Sequence, residues 1–265
     1  MATITSTDQL GDTIRCNFPP QRIVSLVPSQ TELLFDLGLA EQIVGITRFC
    51  IHPAHKVEAV TKIGGTKRFD IEKIKALNPD LIIGNKEENY REGIEELKQN
   101  FPVWMSDIYT LNDSYDMMNG AAQITDRSNQ GAALVKKIKD EFSSLQNFGG
   151  LSAAYFIWRK PYMVAANNTF IHHLLKSLGI TNVFEDKARY PEVSPESIAE
   201  LKPDFIFLSS EPYSFTEKHF EEFRAFSPTS KVVLVDGEMF SWYGSRLQYA
   251  PAYFEKLRLE LTRYF

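Results

Sequence analysis

Two stretches of this chain carry one pattern. Residues 71–83 read IEKIKALNPDLII, and residues 195–208 read PESIAELKPDFIFL. Each has a short amphipathic segment, then Leu, one residue, Pro-Asp and an apolar run. The two prolines, Pro79 and Pro203, lie 124 residues apart. Ile71, Ile74 and Leu77 recur at helical spacing, as do Ile198 and Leu201. Proline ends each helix, because the residue ahead of it is pushed out of the right-handed α region. The runs after Asp80 and Asp204 are apolar on both faces, as buried parallel strands are.

A second matched pair precedes the first. Residues 22–39 (RIVSLVPSQTELLFDLGL) and 155–180 both read as strand, loop, helix and Leu-Gly. Gly38 and Gly179 fit the position just past a helix, where a positive φ is wanted. Short apolar stretches follow at Ile43–Ile46 and Asn182–Phe184, and each half closes on a further strand, Val103–Met105 or Lys231–Val235. Strands alternating with helices predict an α/β fold with mainly parallel sheets, here as two similar lobes. Between the copies, Asp113–Thr125 is one helical pattern and Asp126 fits the N-cap of a second. From Arg127 to Gln146 an apolar stripe of Leu134, Val135, Ile138, Phe142 and Leu145 predicts a single long α-helix of about 30 Å joining the lobes. The expected organisation is an N-terminal lobe over 1–112, a linker region with the long helix over 113–148, and a C-terminal lobe over 149–265.

Charge narrows the function. Lys and Arg number 29 against 34 Asp and Glu, a net charge of −5. That balance argues against nucleic acid or an anionic membrane face as partner. The start, MATITSTDQLGD, has neither a cationic segment nor an apolar core, so it is not a secretory signal and leaves a cytoplasmic location open. Two cysteines, Cys16 and Cys50, form no disulfide framework and read as free, buried thiols.

Ligands of open α/β sheets sit at the carboxyl ends of the strands. Those loops hold Phe49 after the second strand of the first copy, and Trp158, Arg159 and Tyr162 after the first strand of the second. They also hold Arg189 and Tyr190, then Trp242, Tyr243 and Arg246 near the end. Aromatic walls with a few polar fixings suit a large, flat or apolar ligand. Ser29 or Thr31 fits a helix cap. Nucleotide-loop, zincin and hydrolase motifs are missing. His172 and His173 are adjacent on a helix and point about 100° apart, so they do not share an ion; no metal site and no cofactor is expected.

With these residues in view the chain resembles the periplasmic binding proteins whose two lobes are joined by one long helix, the substrate-binding components of ABC importers for cobalamin, haem and iron–siderophores. It is most similar to the cobalamin-binding type. The resemblance runs from Asp8 to the last helix. It rests on DQLG at 8–11, RIVSLVPSQTELLFDLGL with VGIT at 44–47, DIEKIKALNPDLIIG at 70–84, EVSPESIAELKPD at 192–204 and YGSR at 243–246. It implies a monomeric solute-binding protein, not an enzyme, outside the cytoplasm. A metal chelate (corrinoid, haem or ferric siderophore) would lie in the cleft between the lobes, against Phe49, Trp158, Tyr162, Tyr190, Trp242, Tyr243 and Arg246. It also implies that Glu72 and Glu196, each seven residues before its proline, dock onto a dimeric permease. Thr66 and Asn85 stand where the cobalamin type has tryptophans, and Cys50-Ile51-His52-Pro53 replaces its acidic-aromatic-proline turn, so the ligand stays open. Chelatases, with two similar α/β lobes, and divalent-metal binders of this architecture are the alternatives.

Overall fold

The computed structural model describes residues 2–264, and each copy of the repeat builds a parallel sheet. The chain divides into two compact units. The first holds the residues up to Ile108, Asn112–Lys139 and Tyr243–Gln248; the second holds Tyr109–Leu111, Asp140–Trp242 and the residues from Tyr249 onward.

The first unit opens with an antiparallel hairpin, β1 (Ala2–Thr7) and β2 (Thr13–Phe18). The repeat follows as β3 (Ile23–Ser25), α1 (Pro28–Asp36), β4 (Ile43–Ile46), α2 (Ala54–Val57), β5 (Thr61–Lys62), α3 (Ile71–Leu77), β6 (Leu81–Asn85), α4 (Arg91–Lys98) and β7 (Val103–Ser106). These five strands pair in the order β5-β4-β3-β6-β7, all parallel. Ile82 on β6 lies beside Val24 on one side and Val103 on the other.

Next come α5 (Leu111–Ile124) and α6 (Ser128–Ser143), and the passage to the second unit falls within α6. The second copy then runs β8 (Ser152–Trp158), β9 (Met163–Val164), α7 (Phe170–Ser177), β10 (Thr181–Asn182), α8 (Pro195–Leu201), β11 (Phe205–Ser209), α9 (Phe220–Phe226), β12 (Lys231–Val235), α10 (Gly237–Ser241) and α11 (Ala250–Leu261). Its parallel order is β10-β8-β11-β12, with β9 antiparallel to β8. Strand for strand, β4-β3-β6-β7 and β10-β8-β11-β12 are the same path, so the repeat is real in the backbone.

The Pro-Asp motif does the same work in both copies. Asp80 accepts the backbone N–H groups of Gln21 and Arg22 at 2.8 Å each, at the entry to β3. Asp204 accepts the N–H and the hydroxyl of Ser152, at 2.8 and 2.7 Å, at the start of β8. Each carboxylate thus clamps the neighbouring strand in register. The residues before the prolines do leave the right-handed region, but Asn78 (φ 45°) and Lys202 (φ 46°) enter the left-handed one, not the extended one. Their N–H groups close the helix ends on Lys75 and Ile198. Gly38 (φ 79°) and Gly179 (φ 75°) end α1 and α7 with matching bonds: Leu39 N–H to Leu34 O and Ile180 N–H to Leu175 O.

Two expectations for the middle segment fail. Asp126 does not cap α6: with φ 61° it closes α5, its N–H on Gln123 O and that of Arg127 on Ala122 O. Asp tolerates the left-handed conformation that this closure needs. α6 stops at Ser143, leaving Leu145 and Gln146 outside, so it spans about 24 Å. Ser143 and Ser144 turn their hydroxyls onto the carbonyls of Asp140 and Glu141, bonds that compete with helix continuation.

Candidate functional site

Each unit presents a rim of loops at the carboxyl ends of its parallel strands. In the first unit the loop after β6 is wired by neutral side chains. Asn85 is buried; its amide donates to Ser106 and its Oδ1 accepts the N–H groups of Glu87 and Glu88. Asn89 accepts Asn85 N–H at 2.8 Å and donates to Leu26 O and Thr66 O. Thus Asn85 and Thr66 are parts of one rigid loop network. Pro28 starts α1, so Val27 is the N-cap and no side chain caps it. Ser29 and Thr31 therefore lie inside the helix, and the capping expected of them is absent; Thr31 bonds back to Val27 O and reaches Cys50 Sγ at 3.1 Å. Cys50 is a free, buried thiol, its pKa pushed up by burial.

Phe49 follows β4 and is 48% exposed. The Arg48 guanidinium sits 4.9 Å from the centre of its ring. Tyr243 and Arg246 also belong to this unit, and both are buried. The Tyr243 hydroxyl donates to Glu88 at 2.7 Å. Arg246 makes a bidentate pair with Glu32 on α1, at 2.9 and 2.7 Å.

In the second unit the rim is wired by carboxylates. Trp158 is 40% exposed, edge-on to Tyr213, with its indole N–H on Lys160 O. Arg159 grips Glu222 on α9 through Nε and Nη2, at 3.0 and 2.7 Å. The Tyr162 hydroxyl donates to the same carboxylate, while its ring packs on Phe156, Phe223 and Phe226. Burial pushes the Glu222 carboxyl up, but the hydrogen bonds from Arg159 and Tyr162 outweigh it and hold the group below the ordinary carboxylate range. Burial, with Glu222 adding, pushes Tyr162 up to about 12. Trp242 is buried and donates its indole N–H to Glu211 Oε1 at 2.9 Å; Ser241 donates to the same oxygen at 2.7 Å. Burial raises the Glu211 carboxyl. Tyr190 is half-buried beside Arg189, whose guanidinium lies 5.5 Å from the ring centres of both Tyr190 and Tyr109.

Three of the aromatic residues read from sequence thus offer surface (Phe49, Trp158 and Tyr190), whereas Tyr162, Trp242, Tyr243 and Arg246 are held by Glu222, Glu211, Glu88 and Glu32. Glu32, Glu88 and Glu211 lie in the strand-end segments that the topology rule singles out. Glu222 has no such signal; in FEEFRAF it reads as one more solvent-facing carboxylate. Glu72 and Glu196 are exposed in the first turns of α3 and α8, the second residue of each helix. Glu72 meets Lys75 at 2.9 Å. The Glu196 carboxyl is lowered by its own backbone N–H and by Ser194. Among the described residues no three His, Cys, Asp or Glu side chains are placed to hold a metal ion.

Comparison with known proteins agrees with this architecture. The chain matches the family described as Periplasmic binding protein over residues 23–230. The vitamin B12-binding protein of Vibrio parahaemolyticus is 28% identical over 201 residues, 73% of this chain and 72% of that protein. That of Pectobacterium carotovorum is 27% identical over 238 residues, 86% of this chain and 84% of that one. Among solved structures, the periplasmic heme-binding protein RhuT of Roseiflexus sp. RS-1 has the same fold, with a TM-score of 0.79 at 21% identity over 91% of this chain and 97% of that one. By a match that takes in both copies of the repeat, the chain belongs to the periplasmic binding protein family.

Proposed function

We propose that this protein is the solute-binding component of an ABC importer, works outside the cytoplasm as a monomer, and captures a metal chelate of the corrinoid, haem or ferric siderophore class without turning it over. The observation that carries this reading is kinship with vitamin B12-binding proteins across 73% of the chain. Exposed rings at the strand ends, Phe49 and Trp158 with half-buried Tyr190, supply the flat apolar surface such ligands need. The carboxylate-anchored residues Tyr162, Trp242, Tyr243 and Arg246 are the further ligand-binding residues of this reading. Glu72 and Glu196 are the permease-docking residues. They occupy equivalent positions in the two copies, which suits a two-fold partner. Among the described residues no helix is long and apolar enough to cross a membrane.

Absorbance titration with cobinamide, cobalamin, hemin and ferric siderophores, alongside zinc and manganese, tests the reading. A spectral shift with one chelate and no metal insertion into free porphyrin supports it. Insertion, or saturable binding of bare zinc or manganese alone, overturns it. Reversing the charge of Glu72 and Glu196 together is expected to leave chelate affinity intact and abolish uptake; unchanged uptake removes the docking assignment.

A further inference from the structure

The hairpin of the first unit turns one unpaired strand edge to a groove at the amino end of β7. Among the described residues β2 pairs with β1 alone. A cavity of about 570 Å³ is lined by Thr13, Ile14 and Arg15 of β2 and, across from them, by Asn100, Phe101 and Pro102 between α4 and β7. It lies away from the strand-end loops, and everything that lines it belongs to the first unit.

Hydrogen-bond parity aims main-chain groups of β2 toward this groove. Asp8 N–H donates to Asp12 O at 2.9 Å, so the bonded pairs of the hairpin are Asp8–Asp12, Ser6–Ile14 and Ile4–Cys16. Thr13 and Arg15 fall between them. Their N–H and C=O groups therefore point away from β1, and both residues are exposed. The nearby edge of β7 is closed: Asp8 Oδ2 and Gln9 N–H take the N–H and O of Met105 at 3.1 Å each, and Val103 is buried. Charge is divided unevenly as well. Lys98 holds Asp12 at 2.6 Å and Glu95 at 3.3 Å. Arg15 reaches the Thr3 hydroxyl at 3.3 Å and has no carboxylate partner among the described residues. A row of main-chain donors and acceptors beside the buried Ile14, with one uncompensated guanidinium, fits an extended chain that carries an acid. The opposite edge, β1, has no charged residue to fix the register of a guest.

We propose that the β2 edge is a peptide-docking site: an extended, acid-bearing segment of a partner protein adds to the hairpin as a third strand and sets its carboxylate on Arg15. This inference is independent of the chelate reading.

The probes are a dye-labelled, end-capped peptide TVTEVTV, its glutamine counterpart TVTQVTV, and the first peptide with every amide N-methylated. Fluorescence anisotropy with the whole chain is expected to show TVTEVTV bound about tenfold more tightly than TVTQVTV, the effect of one charge-assisted contact, and no binding of the N-methylated form. Amide hydrogen exchange at Thr13 and Arg15 should slow when TVTEVTV is added. Thr13→Pro removes one outward N–H at an edge position that tolerates proline, and should abolish binding. Arg15→Met should bring TVTEVTV down to the affinity of TVTQVTV. Unchanged melting temperatures confirm that the variants are folded; if Thr13→Pro melts lower, the N-methylated peptide makes the same test on the wild-type protein. Binding of neither peptide overturns the proposal. So does equal binding of the N-methylated form, slowed exchange elsewhere than in β2, or a glutamate preference that survives Arg15→Met. A concentration-dependent dimer that excludes the peptide overturns it too, and gives the edge to a second copy of this chain.

Discussion

The two units share a backbone path and fill it differently. Of the rings among the largest fully buried side chains, Trp104 alone belongs to the first unit; Tyr155, Phe156, Phe184, Phe205, Phe207, Phe223, Phe240 and Phe254 belong to the second. The first unit packs instead on aliphatic residues such as Ile23, Leu26 and Leu33. Two of the rim networks differ as well. Asn85 and Asn89 hold the loop after β6 by amide hydrogen bonds, whereas Glu222 and Glu211 hold the second unit's aromatics by carboxylates. What the copies conserve is the strand order and the clamps that set it, Asp80 and Asp204. Core volume has many solutions once the pattern of apolar positions is kept. A neutral network is indifferent to pH across the physiological range, and a carboxylate network is not, so the loop after β6 and the Glu222 and Glu211 anchors of the second unit should respond differently to acid.

The largest effect is expected in the first unit. Asn89→Ala leaves Asn85 N–H and Leu26 O, both buried, and the half-buried Thr66 O without this partner. Unsatisfied buried groups cost about 1–3 kcal/mol each, tempered by whatever water enters, so a loss of roughly 3 kcal/mol is expected in urea unfolding. The loss should be the same at pH 5 and pH 8. A loss that varies with pH would break the contrast between the two networks.

Much of this frame is legible in the sequence, and the reason is locality. Helix period, Pro-Asp, the Leu-Gly stops and apolar runs are all written within a few residues, so the repeat and its strand order follow from them. The hairpin β1–β2 is not legible, because its first strand, ATITST, is exposed along much of its length and has no apolar face to mark it. The early end of α6 turns on two serine hydroxyls that a stripe of apolar residues overrides on paper. The rim partners are hidden for a different reason. Arg246 meets Glu32 from 214 residues away, Tyr243 meets Glu88 from 155, and Arg159 meets Glu222 from 63. Each looks locally like an ordinary surface charge or a loop aromatic, and only the folded chain shows which carboxylate holds which ring.

The second prediction sharpens the contrast from the acid side. In the folded state Glu222 has a lowered pKa, so its pairing stabilises the second unit fully above the ordinary carboxylate value. That stability is lost as pH falls through the lowered folded value. Glu222→Gln is expected to be less stable than wild type at pH 7, by less than the Asn89 variant because the pair is partly solvated. The gap between wild type and variant should close as the pH falls below 4. A gap that stays open in acid would mean that Glu222 acts by shape and hydrogen bonding alone.

The smallest effect has the opposite sign and comes from Glu211. Its carboxyl is raised by burial, with Asp236 and Glu238 adding to the rise. A folded group that holds its proton more tightly than the unfolded chain costs stability once the pH passes the ordinary carboxylate value, and the cost grows until the folded value is reached. Glu211→Gln keeps an oxygen for the Trp242 indole and the Ser241 hydroxyl and removes the charge. It should therefore unfold at slightly higher urea than wild type at pH 7 and at the same urea near pH 4, with Trp242 fluorescence unchanged in the folded state. Two carboxylates in one unit would then pull its stability in opposite directions with pH, because one has an arginine beside it and the other is buried, with two acids adding to the rise. If Glu211→Gln is instead destabilised at pH 7, the charge itself is needed to hold Trp242, and the indole is pinned by an ionised anchor as Arg159 is by Glu222.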